Sequence, residues 1–302
     1  MQHAFPSTLR RYRDGLQTIP WLLLTGYGVL ILFYGALASV FLPVPWQRPF
    51  LGNLLAVPLI LIVAKDVACF PLALARWKGA TARGESLLKR LAATLPPEFR
   101  GYLRLERAMW RGFFSWALQR AQAAQPAGQP LGYLERGSYG TVICCVLLGL
   151  FVEVPIDVLI ASVMAKSPEQ LRMLHIGFGL LALYGFVWVL GDRWHVKGRG
   201  HHVLTATSLE LDIGPRGFGS IPLDAIASCV RLKETRAMWC KQHGYRLHAT
   251  RKLTPFDAPN LVLLLKPGSD VRLHLLQVER DGDGPIFLYL DRPELFAAAV
   301  PA

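Results

Sequence analysis

The stretch from Gly137 to Ala165 is apolar for long enough to cross a bilayer, and it carries Glu153, Pro155 and Asp157 inside it. About 20 apolar residues span a hydrocarbon core of roughly 30 Å, so this run predicts a membrane helix. Counting about 1.5 Å per residue from Tyr139 puts Glu153 roughly 20 Å in, at or beyond mid-bilayer, with Asp157 one turn further. An ionisable group at that depth costs about 3 kcal/mol even on lenient insertion scales. It must therefore face protein or water, find a partner, or take up a proton.

The rest of the chain fits a membrane protein. Of its 302 residues 52% are hydrophobic and only 18% charged, and the formal charge is +12. A basic excess of this size implicates nucleic acid only if it gathers on one soluble domain; along a membrane chain it reports topology. The five cysteines, Cys69, Cys144, Cys145, Cys229 and Cys240, show neither a disulfide framework nor zinc-ligand spacing.

Four spans follow from the apolar runs. After Arg10, Arg11 and Arg13, the run from Pro20 to about Leu42 is bilayer-length and predicts a retained first span rather than a cleaved signal. A connector with Pro43, Pro45, Trp46, Arg48 and Pro49 leads to the second, Leu51 to about Ala75. The third covers 138–165, a tight turn runs from Lys166 to Arg172, and the fourth extends from about Met173 to Leu190. Between the hairpins, Arg76 to Arg136 holds eleven Lys/Arg against four Glu, a net of +7, which places that loop and both termini on the cytoplasmic side. The chain thus divides into 1–75 (first hairpin), 76–136 (basic helical loop), 137–194 (second hairpin) and 195–302.

Within the basic loop, Pro97 to about Ala121 predicts a helix. Arg100, Arg104, Arg107 and Arg111 share one face, and Phe99, Tyr102, Leu103, Trp110, Phe113 and Phe114 gather on another. Such a split suits a helix lying in the anionic inner-leaflet interface, with packing against the protein's own spans or the C-terminal domain as the alternative. The Ala-, Gln- and Pro-rich stretch from Gln122 to Pro130 predicts a linker.

Beyond Arg199 short strands alternate with turns: His202–Thr205, Ser208–Ile213, Phe218–Leu223, Ile226–Leu232, Tyr245–Ala249, Leu261–Lys266, Val271–Leu276 and Ile286–Leu290. Asp291-Arg292-Pro293-Glu294 then signals a helix start, running to Val300. The fold class expected is a four-helix membrane bundle followed by a small β-barrel or sandwich closed by a helix.

The opening His-Val-Leu-Thr-Ala-Thr-Ser-Leu-Glu-Leu, the Ile-Pro-Leu-Asp-Ala-Ile step and the ending Leu-Asp-Arg-Pro-Glu-Leu-Phe resemble bacterial pleckstrin-homology-like domains. With Leu190-Gly191-Asp192-Arg193 closing the fourth span, residues 137–302 resemble uncharacterised bacterial inner-membrane proteins that carry such a domain on the cytoplasmic side. The resemblance implies a fold and a location, with no catalytic residues. The phosphoinositide-binding pattern of eukaryotic relatives is missing, because the first hairpin carries Glu210 and Asp212 and only Arg216 at its turn.

Chemistry concentrates in the intramembrane polar residues Lys65, Asp66, Glu153, Asp157 and His175. Depth counting lets Lys65 reach toward Glu153, while Asp157 and His175 flank the outer turn. Glu153 and Asp157, four apart, share a helix face. These residues read equally as a proton or ion relay or a polar cavity for a headgroup or small solute, and as polar pins holding a bundle or a partner subunit. On the β-domain, Arg231, Lys233, Arg236 and Lys241 open a basic segment that suits anionic lipid or an acidic partner. Residues 197–302 hold fourteen basic against eleven acidic residues, which argues against nucleic acid.

His195, His201 and His202 sit among cations, a poor metal site. No GxSxG, HExxH, Walker A or GxGxxG motif stands in its structural context, so no catalytic residue, metal or cofactor is expected. The expectation is a scaffold or accessory subunit contacting lipid and either a protein partner or a second copy. The alternative is a small transporter or proton-coupled channel using Glu153 and Asp157.

Overall fold

A computed structural model of the protein describes residues 15–17, 19–39, 41–122, 124–198, 200–282 and 284–297. Arg10, Arg11, Arg13, Arg199 and residues 298–300 of the expected closing helix lie outside these. The chain forms two compact units, Met1–Gly101 and Tyr102–Ala302.

The first unit contains α1 (Trp21–Ser39), α2 (Val44–Ala82), α3 (Leu87–Thr94) and the first turn of α4 (Pro97–Ala117). α1 runs back along α2 with Gly28 beside Pro58 and Gly35 under the Leu54 side chain, small residues allowing close approach. α2 is 39 residues long, about 58 Å at 1.5 Å per residue, and absorbs the expected connector at its start. Pro45 lies in its first turn, where a missing N–H costs nothing. It also runs past the expected end at Ala75, because no stop signal occurs before Gly84. That glycine takes φ +67° and closes the helix by donating to the Thr81 carbonyl.

Three helices among the described residues are long and apolar enough to cross a membrane: α2, α5 (Tyr139–Met164) and α6 (Pro168–Lys197). α1 carries a shorter apolar stretch, Leu23–Gly35. α6 starts five residues before the expected Met173, since Ser167 caps it by accepting from the Gln170 N–H and Pro168 fits the first turn. α5 and α6 form an antiparallel hairpin in which Leu150 packs on Gly185 and the rings of Phe151 and Phe186 meet edge to face at 5.3 Å.

Among the described residues the second unit is completed by ten strands in two sheets. One is ordered β1-β2-β3-β4-β8-β9: β1 (Gln129–Gly132), β2 (His201–Leu204), β3 (Ser208–Asp212), β4 (Gly217–Pro222), β8 (Arg272–Leu275) and β9 (Val278–Asp281). The other is β5-β7-β10-β6: β5 (Ile226–Arg231), β7 (Leu261–Leu265), β10 (Ile286–Leu288) and β6 (Arg251–Leu253). Alternate residues such as Leu209, Leu211 and Ile221 from one sheet and Leu261, Leu263 and Leu288 from the other share a core. Phe296 of the closing helix α8 (Pro293–Ala297) plugs it.

Three sequence expectations change here. The end of the expected linker is β1, which pairs antiparallel with β2, Gln129 opposite Leu204. The expected strand at 245–249 is instead a 3₁₀ turn at Leu247–Ala249, preceded by the helix α7 (Arg236–Gln242). Thr235 caps α7 at the Met238 N–H, and Trp239 buries against Phe287. Finally, Asp291 does not cap α8, because its carboxylate is taken by the chain before α5, as described next.

Candidate functional site

The β-domain grips the start of α5 and the end of α6 through the side chains of Asp257, Asp291 and Arg216, the last paired with Asp192 of α6. Asp291 Oδ2 and Oδ1 accept the main-chain N–H groups of Glu135 and Arg136, both at 2.9 Å, and its own N–H donates to the Gly132 carbonyl. Asp257 Oδ1 accepts the Ser138 N–H at 2.8 Å, a carboxylate at the positive end of α5. Tyr133, fully buried, donates its hydroxyl to the Asp212 carbonyl at 2.9 Å. Burial pushes that phenol far above its ordinary range, so it stays a neutral donor.

Arg216, at the β3–β4 turn, places Nε 2.8 Å from Asp192 Oδ1 near the end of α6. The two atoms are not aligned as a hydrogen bond, so charge proximity holds this contact. The Tyr139 hydroxyl donates to Asp192 Oδ2 at 2.9 Å. The guanidinium lies 4.9 Å above the Phe256 ring and donates to the Pro255 carbonyl. Together these contacts seat the β-domain on the helical hairpin.

α4 has three faces. Leu105 and Met109 are buried, and a Cβ on Gly191 of α6 would fall 2.2 Å from the Met109 carbonyl oxygen, so α4 and α6 cross backbone to backbone. Beside the crossing, Glu106 accepts three hydrogen bonds at 2.8 Å, from the Trp110 and Trp188 indoles and the Tyr184 hydroxyl. Leu103 and Phe114 are exposed on a second face. Arg104, Arg107 and Arg111 are exposed on the third, with Arg104 reaching the Gln277 carbonyl.

The polar residues expected within the membrane belong to different units: Lys65 and Asp66 to the first, Glu153, Asp157 and His175 to the second. In the first, Lys65 is 1% exposed; its ammonium donates to the carbonyls of Leu16, at 2.7 Å, and Ile19, and lies 5.0 Å above the Trp21 ring. Asp66 beside it is exposed. In the second, Glu153 is exposed and Asp157 half-buried, and no described residue gives either one, or His175, a hydrogen bond or ion pair. Around Glu153 the large side chains of Phe151, Val152, Val154, Ile156 and Leu159 are uncovered too.

Arg231, Lys233 and Lys241 are exposed on the β-domain. Arg236 is half-buried, held by the Thr250 hydroxyl and the carbonyls of Thr250 and Leu247, with its guanidinium 5.4 Å above Phe287. The three joint histidines diverge: His195 Nε2 meets the Ala108 carbonyl, His201 is half-exposed, and His202 is fully buried. The His202 Nδ1 accepts the Asp212 N–H at 3.0 Å, and burial, helped by neighbouring His201, pushes its pKa down to about 3.

Sequence reasoning missed Glu106 and the Asp192–Arg216 pair. Glu106 was detectable as the single acid within a stripe of arginines, four residues before a tryptophan, a spacing that places both on one helix face. The ion pair joins residues 24 apart on different elements, and nothing local marks it. Against known proteins, the chain matches no family, no curated protein and no solved structure.

Proposed function

We propose that the protein is a non-enzymatic scaffold or accessory subunit of a bacterial inner membrane. In this reading α1 adds a fourth span, both termini are cytoplasmic, and the two-sheet domain is a pleckstrin-homology-like module. The grip of Asp257, Asp291 and Arg216 on the α5–α6 hairpin makes that hairpin and the β-domain one mechanical body, so whatever binds in the membrane positions the β-domain. The exposed arginines of α4, with Leu103 and Phe114 beside them, suit the anionic inner leaflet.

One observation carries the reading. α5 exposes Glu153 and half-exposes Asp157 within an apolar surface, and neither has a described partner. Carboxylates on such a surface call for an intramembrane neighbour, from another protein or a second copy, that supplies a donor or a cation.

The test is photocrosslinking in native membranes from a benzoyl-phenylalanine placed at Ile156. The expected result is one discrete protein adduct, strongly reduced when Glu153→Gln and Asp157→Asn are combined. Proton or ion flux through vesicles containing the protein alone, abolished by Glu153→Gln, would establish the transporter reading instead.

A further inference from the structure

The first unit contains a cleft of about 760 Å3 between α2 and the α3–α4 junction, lined by the charged residues Lys65, Asp66, Arg76 and Glu98, with Trp21 and Trp77 beside them. From the chemistry of that lining we infer that the cleft holds the headgroup of a zwitterionic aminophospholipid.

Lys65 supplies the first argument. It is buried, and no carboxylate among the described residues neutralises it. Its ammonium has three protons, of which the carbonyls of Leu16 and Ile19 take two. Arg76 behaves alike. Its Nη1 donates to the carbonyls of Leu95, at 2.8 Å, and Thr94, at 3.4 Å, which leaves Nε and Nη2 without a described partner. Two cations held by neutral carbonyls in an apolar helix favour an anion, and guanidinium geometry suits a phosphodiester.

Asp66 decides which anion. It is exposed and lines the same cleft, so a ligand of net negative charge would meet repulsion beside its attraction. A headgroup carrying one phosphodiester and one ammonium matches both signs. A primary ammonium donates hydrogen bonds to carboxylates and a quaternary one cannot, so the ethanolamine class fits better than the choline class. Lys65 and Arg76 are eleven residues apart, about 16 Å along the helix, room for a headgroup and its glycerol. The indoles of Trp21 and Trp77 are the side chains that favour the level of a membrane surface at which headgroups lie. Phe70 and Leu72, on the same cleft, offer the apolar wall that the upper acyl chains require.

The experiment reconstitutes the full chain into nanodiscs of equal parts dioleoyl phosphatidylethanolamine, phosphatidylcholine and phosphatidylglycerol. It then extracts the protein in mild detergent and weighs the retained lipids by native mass spectrometry. The ethanolamine lipid should be retained about tenfold over the other two, equivalent to about 1.4 kcal/mol. Asp66→Asn should reduce its preference over the choline lipid, and Arg76→Gln should reduce retention of both. Circular dichroism checks that each variant folds, and one that does not is replaced at the same position, by Asp66→Ser or Arg76→Met. Enrichment of the anionic lipid, no enrichment, or enrichment indifferent to the substitutions would overturn the inference. Competition by glycerophosphoethanolamine as strong as that by the intact lipid would assign the cleft to a soluble phosphodiester and overturn the lipid assignment.

Discussion

Arg216 Nε stands 2.8 Å from Asp192 Oδ1, joining a turn of the β-domain to the last turns of a membrane-length helix. Both side chains are largely buried, and the other carboxylate oxygen holds the Tyr139 hydroxyl. Removing one member leaves a charge without its counter-ion, which costs about 3 to 5 kcal/mol, whereas replacing both by apolar residues costs far less. Arg216→Met and Asp192→Leu should each lower the thermal midpoint of the detergent-solubilised protein sharply. The double variant should recover most of the loss. Additive losses in the double-mutant cycle would mean that the pair contributes no coupling.

Glu106 makes a second clasp on the same helix. Its two oxygens accept from two indoles and a phenol, and each hydrogen bond to a charged acceptor contributes about 2 kcal/mol. Glu106→Gln turns an amide N–H toward at least one of those donors. Tryptophan emission should shift and the thermal midpoint should fall, with Glu106→Ala giving a larger change. An unchanged emission spectrum would show that Trp110 and Trp188 do not rely on this carboxylate.

What the sequence makes legible follows the range of the forces involved. Apolar length and alternation are local, so α5, α6 and strands such as Ser208–Asp212 can be read directly from the residue order. The strand β1 was hidden because Gln129 and Pro130 look like linker until β2, some 70 residues on, supplies the hydrogen bonds. The Asp291 cap failed for the same reason: its local signal is strong, but two main-chain donors at Glu135 and Arg136 compete for the carboxylate. The grip on the hairpin is made of such non-local pairs, and no periodicity announces them.

His202 sets a pH limit on the β-domain. Its Nδ1 must stay unprotonated to accept the Asp212 N–H, and its pKa in the fold is about 3, against about 6.5 for an unfolded histidine. Between those values the unfolded chain binds the proton and the folded one does not, so stability is complete above pH 6.5. It then falls by about 1.4 kcal/mol for each unit of acidification toward pH 3. His202→Asn, whose side-chain oxygen can still accept from Asp212, should flatten the denaturation midpoint over pH 6.5 to 4.5. An unaltered slope in that variant would assign the acid sensitivity to other groups.

The crossing of α4 over α6 rests on glycine at the contact itself. A Cβ on Gly191 would lie 2.2 Å from the Met109 carbonyl oxygen, and one on Gly112 would lie 2.5 Å from the Gly191 carbonyl oxygen. Both obstacles are backbone, so no side chain can swing away to make room. Gly191→Ala must push the helices apart, and this also draws Glu106 away from Tyr184 and Trp188. The loss should therefore appear both as a lower thermal midpoint and as the emission change expected for Glu106→Gln. Gly177→Ala, in the same helix but with nothing within 4 Å of the new methyl, is the matched control. It should be neutral or stabilising by up to about 1 kcal/mol, because alanine is the better helix former. If the two alanine variants behave alike, helix propensity rather than close packing governs α6, and the backbone contact is not what holds α4 in place.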